Sequence, residues 1–378
     1  MSALLERMDA ITPKKILSLD GGGIRGALTL GYLKKIEDIL KAKHTDKPDF
    51  RMSDYFDLIG GTSTGAIIAA LLAMGNSVDH ITKLYMDLGD KIFATKRGWW
   101  NPKSWFATYG YEGMEEGLKL AYGEDTTIGS DRIKTGLCIV AKRADTNSIW
   151  PMINHPRGKY YDAINSKNKE LLLWKVVRAS TAAPTYFKPQ MIEVDENKKQ
   201  RAAFIDGGLS MANNPAVTLL MVATLKGFPF RWPMGEDKIF LVSVGTGIRE
   251  FKKLAKEIDA AWLGTWAANI PEMLMQDASW QNQLFLQWLS QSHTAEEMDS
   301  EIGNMDGDML SGKSLITYLR YNFKFTSKNL NALGFEKTFD EKDAVMIADM
   351  ANPKNKELLY EIGYKASSSV KPEHFADF

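Results

Sequence analysis

Lys15-Ile16-Leu17-Ser18-Leu19-Asp20-Gly21-Gly22-Gly23-Ile24-Arg25-Gly26 begins as a short apolar run and breaks into consecutive glycines. From 27 to 40 apolar residues then recur at helical spacing, so the order is strand, glycine loop, helix. The plan repeats downstream. Residues 55–60 read as a second apolar strand, Gly61-Thr62-Ser63-Thr64-Gly65 as its turn, and 66–74 as an apolar helix that Gly75 caps. Further strands are predicted at 137–142, 202–205 and 239–244, and the polar run 196–201 reads as a hairpin turn between 191–194 and 203–205. Strands alternating with helices predict an α/β fold, a mostly parallel central sheet with helices on both faces. Beyond about residue 250 the pattern turns mainly helical and carries Trp262, Trp266, Trp280 and Trp288.

The 378 residues suffice for a large core, and 44% hydrophobic with 25% charged residues excludes disordered and fibrous classes. Lysine plus arginine (47) balances aspartate plus glutamate (47), which gives no reason to expect a nucleic acid polymer as partner. The single cysteine, Cys138, lies in an apolar run and reads as a buried strand thiol; it has no partner for a disulfide within the chain. The first residues mix charges with apolar side chains and lack a signal-peptide core. The longest apolar stretch, 66–74, falls far short of the ~20 residues of a spanning helix. The expectation is a cytoplasmic protein that reaches lipid, if at all, from the inner membrane surface.

Gly61-x-Ser63-x-Gly65 between a strand and a helix is the arrangement of a nucleophile elbow, with Ser63 as the candidate nucleophile at a helix N-terminus. In Asp20-Gly21-Gly22-Gly23-Ile24-Arg25-Gly26 the glycines can offer backbone N–H groups to a developing oxyanion, each preorganised donor being worth about 3 kcal/mol. Gly21-x-Gly23-x-x-Gly26 also fits a dinucleotide-binding fingerprint, which leaves a nucleotide-binding regulatory protein as a second reading. His44, His80, His155, His293 and His374 are the only histidines, and none stands at a strand end suited to a triad. Phe204-Ile205-Asp206-Gly207-Gly208 instead places Asp206 at the tip of an apolar strand, where it is the better base.

Asp20 to Gly26, Gly61 to Gly65, Asp206-Gly207-Gly208 and the segment Ala179-Ser180-Thr181-Ala182-Ala183-Pro184-Thr185-Tyr186-Phe187 together resemble the patatin-like phospholipases, in family order. The resemblance implies a three-layer α/β catalytic domain over about 14–250 and a mainly helical C-terminal extension over 251–378, packed on it. It implies Ser63 as nucleophile, Asp206 as proton acceptor, the Gly21, Gly22 and Gly23 backbone with Arg25 as oxyanion hole, and Gly61, Gly65, Gly207 and Gly208 as supports. The implied reaction releases fatty acid from a glycerophospholipid through an acyl-enzyme, with neither metal nor organic cofactor; a general carboxylesterase is the nearest alternative. Length and layout are similar to bacterial anti-phage phospholipase effectors, which implies a cyclic-dinucleotide activator. The extension is expected to cover the active site or to form a homo-oligomer interface.

Two segments are weighed and set aside. Gly307-Asp-Met-Leu-Ser-Gly312-Lys313-Ser314 matches the Walker A pattern, but no buried strand precedes it and 315–323 reads as a strand rather than a helix. Lys96 to Phe106 combines cations with large aromatics, as an interfacial lid or a cap over the core would.

Overall fold

The computed structural model describes residues 3–94, 112–184, 186–195, 199–249, 255–259 and 262–378. Lys96 to Phe106, Thr185 and part of the 196–201 turn lie outside these residues. The strands are β1 (Lys14–Leu19), β2 (Leu58–Thr62), β3 (Gly136–Arg143), β4 (Ser148–Ile153), β5 (Gln190–Asp195), β6 (Gln200–Asp206), β7 (Ile239–Val244), β8 (Ile248–Arg249), β9 (Thr317–Tyr321) and β10 (Lys324–Phe325). In the main sheet β3, β2, β1, β7 and β9 lie side by side and parallel. An antiparallel margin of β4, β5 and β6 completes it around β3, while β8 and β10 form a separate parallel pair.

Successive side chains of a strand point to opposite faces, and here both faces are buried. Leu17 and Leu19 of β1, Ile59 of β2, Leu137 and Ile139 of β3 and Phe240, Val242 and Val244 of β7 share one core cluster with residues of the helices Gly26–Lys43, Thr64–Ala73, Val78–Ala94 and Lys356–Ala366. Their neighbours Ile16, Leu58, Cys138, Val140, Ile239 and Leu241 belong to a second cluster with the helix Ala216–Thr224 and the C-terminal end of the helix Leu263–Leu289. The layers are helix, sheet, helix. Each fully buried leucine or isoleucine adds roughly 1.5–3 kcal/mol, which makes the five parallel strands the rigid support of the loops at their C-terminal ends.

Two local features depart from the sequence reading. Tyr55 closes a one-turn helix, Met52–Tyr55, so β2 starts only at Leu58. β4 was not among the predicted strands; it contains Pro151, which is tolerated because β4 is an edge strand that pairs only with β3. The segment after the Walker-like motif is a strand, β9, as its sequence indicated, and the Ser314 hydroxyl donates to the Ile316 carbonyl at 2.8 Å. Residues 251–378 also enter the sheet through β9 and the core through Phe375. Among the described residues no helix is long and apolar enough to cross a membrane.

Candidate active site

Pairing around β3 brings Ser63 and Asp206 together. β4 occupies one edge of β3 over 138–143, so β2 and β6 share the other, β2 along 136–140 and β6 along 141–143. β2 runs parallel to β3 and β6 antiparallel, hence the two point at each other. Their last residues, Thr62 and Asp206, pair with the adjacent Val140 and Ala141. Ser63 follows Thr62 directly, and its Oγ donates to Asp206 Oδ2 at 2.6 Å.

Ser63 has φ 54° and ψ −123°, a conformation that L-residues avoid and that costs about 1–3 kcal/mol. The surroundings impose it. Its N–H donates to Ser180 Oγ at 2.9 Å, and that hydroxyl donates to the Val140 carbonyl at 2.6 Å, tying the turn to β3. A Cβ at Gly61 would lie 2.2 Å from the Gly65 carbonyl oxygen, and one at Gly65 would lie 2.2 Å from that of Leu19. Only glycine at both positions lets the turn close on itself and against β1. The helix Thr64–Ala73 begins immediately after, so its unpaired N–H groups and positive end lie beside the Ser63 oxygen.

Asp206 is buried. Its N–H donates to the Ala182 carbonyl at 3.0 Å, and its Oδ1 accepts the Gly208 N–H at 2.7 Å. Burial pushes the carboxyl up to about 6, against the Ser63 and Gly208 hydrogen bonds and the Arg178 charge, which hold it down. A carboxylate so raised accepts a serine proton more readily than a free aspartate does, yet is ionised at neutral pH. Gly207 opens the short turn after β6 and packs against the Val140 carbonyl.

The glycine loop is held by its carbonyls. Thr246 Oγ1 donates to the Gly21 carbonyl at 2.8 Å, the Arg25 N–H to that of Gly22 at 3.2 Å, and the Tyr85 hydroxyl to that of Gly23 at 2.7 Å. The Gly21 N–H is spent on the Asn213 carbonyl at 2.9 Å. The amides of Gly22 and Gly23 have no hydrogen-bond partner among the described residues, which narrows the donors available to an oxyanion to these two. Tyr85 Oη lies 2.6 Å from Thr64 Oγ1. Its own proton goes to Gly23, so Thr64 donates, and the loop is thereby fastened to the elbow helix. Arg25 is buried, with Nη1 3.4 Å from the Ala348 carbonyl and no bond to Ser63 or Asp206. Burial pushes its guanidinium down to about 10.

Arg320 was missed by the sequence reading. It reaches from β9 to the root of the loop, where Nη1 and Nη2 meet Asp20 Oδ1 and Oδ2 at 2.9 and 2.6 Å, and Nη1 also donates to Ser243 Oγ at 2.7 Å. Burial opposes the charge on Arg320, and the Asp20 carboxylate outweighs burial and raises the guanidinium pKa. Arg320→Ala would leave a buried carboxylate unpaired; the expected cost is about 3–5 kcal/mol, read as a fall in thermal unfolding temperature. A lone arginine in the apolar run 315–323 was the only signal. None of the five histidines bonds to Ser63 or Asp206 among the described residues, and the Cys138 thiol is buried in β3 and pushed up by burial.

The patatin-like phospholipase family model matches residues 17–220. A cGAMP-activated phospholipase of Escherichia coli (strain TW11681) is 31% identical over 240 residues, 61% of this chain and 62% of that protein. Patatin-like protein 4 of Arabidopsis thaliana is 30% identical, covering 67% of this chain and 65% of its own length. Patatin-T5 of Solanum tuberosum is 27% identical over 72% of this chain and 71% of its own. The chain thus spans somewhat under two thirds of the first two relatives. With the family model covering more than half of the residues, elbow, loop and aspartate included up to position 206, the chain belongs to the patatin-like phospholipase family.

Proposed function

We propose that this chain is a lipid acyl hydrolase that uses Ser63 and Asp206 as a catalytic dyad. The observation that carries the reading is the 2.6 Å hydrogen bond from Ser63 Oγ to a buried Asp206, on a strained elbow. Ser63 attacks an ester carbonyl of a glycerophospholipid while its proton passes to Asp206. The Gly22 and Gly23 amides and the helix end receive the oxyanion. Asp206 returns the proton to the departing alcohol, a lysophospholipid, and then takes one from the water that hydrolyses the acyl-enzyme to fatty acid. Gly21 supports the oxyanion reading of the loop over the dinucleotide one: a Cβ there would lie 3.3 Å from Ser63 Cβ, so the loop faces the nucleophile.

Similarity to a relative named as cGAMP-activated supports control by a cyclic dinucleotide. The experiment is fatty-acid release from mixed phospholipid vesicles, with and without cGAMP. Release only with cGAMP is the expected result; release without it would make the enzyme constitutive, and release with neither would refute the hydrolase reading. Catalysis requires ionised Asp206, whose carboxyl is raised to about 6. The kcat/KM profile is therefore expected to rise through about pH 6 to a plateau above pH 7, falling tenfold per pH unit on the acid side. A profile flat down to pH 4 would exclude Asp206 as the base.

A further inference from the structure

A cavity of roughly 460 Å³ lies beside the glycine loop, walled by Asp20, Arg25 and Asn213 on one side and by the helix Leu263–Leu289 on another. Asn213 and Gly21 form the partition between this cavity and Ser63, for a Cβ on Gly21 would lie 2.5 Å from Asn213 Oδ1 and 3.3 Å from Ser63 Cβ. Its charges do not cancel. Arg320 is paired with Asp20, and Lys324 lies 3.7 Å from Glu296. That leaves one cation in the lining, Arg25, against Glu272, Asp277 and Glu297; Glu272 and, outside the lining, Asp349 support its charge without a direct ion pair, and none of the three lining carboxylates has an ion-pair partner within 4 Å among the described residues. Arg25 is 7% exposed, and its Nε is buried without a hydrogen-bond partner. A buried guanidinium N–H left unpaired calls for an acceptor, and an anion answers best. The three carboxylates disfavour a second anion and call for a cation, for which the Trp280 ring in the same wall is a further partner.

We propose that this cavity takes the headgroup of a zwitterionic glycerophospholipid, with the phosphate toward Arg25 and the ammonium toward Glu272, Asp277 and Glu297. Only the Gly21–Asn213 partition stands between the cavity and Ser63, and the phosphate of a glycerophospholipid is only a few bonds from its ester carbonyls, so a headgroup held there would leave an ester near the nucleophile. Lipids whose headgroup ends in glycerol lack the cation and meet the carboxylates as a net anion. The selectivity rests on the hydrolase reading, and binding tests it separately.

Ser63→Ala protein would be titrated calorimetrically with sn-glycero-3-phosphoethanolamine, sn-glycero-3-phosphocholine and sn-glycero-3-phosphoglycerol. The active chain, with cGAMP, would be assayed on mixed micelles of the three corresponding lipids and on a short nitrophenyl ester without a headgroup. The two zwitterions are expected to bind at least tenfold more tightly than the glycerol compound, and hydrolysis to follow the same order. The Glu272→Gln/Glu297→Gln variant is expected to erase both preferences while leaving nitrophenyl ester hydrolysis unchanged. Equal binding of all three compounds, or a preference that survives the variant, would overturn the proposal. So would selective binding of the soluble compounds by a chain whose lipid hydrolysis ignores the headgroup, since the cavity would then serve a free metabolite. Selective binding with no hydrolysis of any ester would refute the hydrolase reading and leave the zwitterion selectivity standing.

Discussion

Ser63→Ala is expected to lower kcat/KM for fatty-acid release by at least about 10⁴-fold, because removing a nucleophile leaves only binding and oxyanion stabilisation. The fold should persist. Ser63 is half-buried at the start of the helix Thr64–Ala73, and its backbone hydrogen bond to Ser180 does not involve the deleted oxygen. The loss is the donor to Asp206 Oδ2, and with it one of the contacts that hold the Asp206 carboxyl down. A cost of about 1–2 kcal/mol follows, to be read from thermal unfolding followed by circular dichroism. Activity within tenfold of the parent chain would exclude Ser63 as nucleophile.

Asp206→Asn is expected to cost about 10³–10⁴-fold in kcat/KM, since an amide accepts no proton, and to raise stability at neutral and alkaline pH. The amide oxygen still accepts the Gly208 N–H, and Val140 and Ala141 keep the strand ends in place. What changes is the charge. Burial raises the carboxyl from 3.8 to about 6, so the folded parent binds a proton that the unfolded chain releases between those values. The stability associated with that proton is complete below about pH 4 and lost as pH rises through 6. Asparagine has no such loss. The variant should therefore gain on the parent by on the order of 2–3 kcal/mol at pH 8, and the gain should vanish near pH 4. Denaturant unfolding of both proteins across that range measures it; a variant less stable than the parent at pH 8 would show that the site is not strained by ionisation.

The Ser63–Asp206 pair was legible because each half is encoded within a few residues. Gly61 and Gly65 mark the one place where the turn must touch its own backbone and β1, and Gly207 and Gly208 mark the tip of β6. How the halves meet was not local: it depends on β2 and β6 abutting along one edge of β3, with β6 antiparallel to a parallel core. No periodicity within either strand carries that information. The glycine loop was legible as glycines but not in its division of labour, because the carbonyl of Asn213 and the side chains of Thr246 and Tyr85 decide which amides remain free. Arg320, 300 residues from its partner Asp20, lies beyond any motif. A charged side chain placed inward on a buried strand needs a counter-charge, and only the assembled sheet names it.

Fluorophosphonate labelling with peptide mapping by mass spectrometry tests the dyad most directly, since the reagent forms a stable adduct only with an activated serine. A single adduct on Ser63, absent in Ser63→Ala and formed about 10³-fold more slowly in Asp206→Asn, is the predicted result. Lipid hydrolysis that continues with Ser63 unlabelled, or an adduct on another serine that abolishes it, would contradict the assignment.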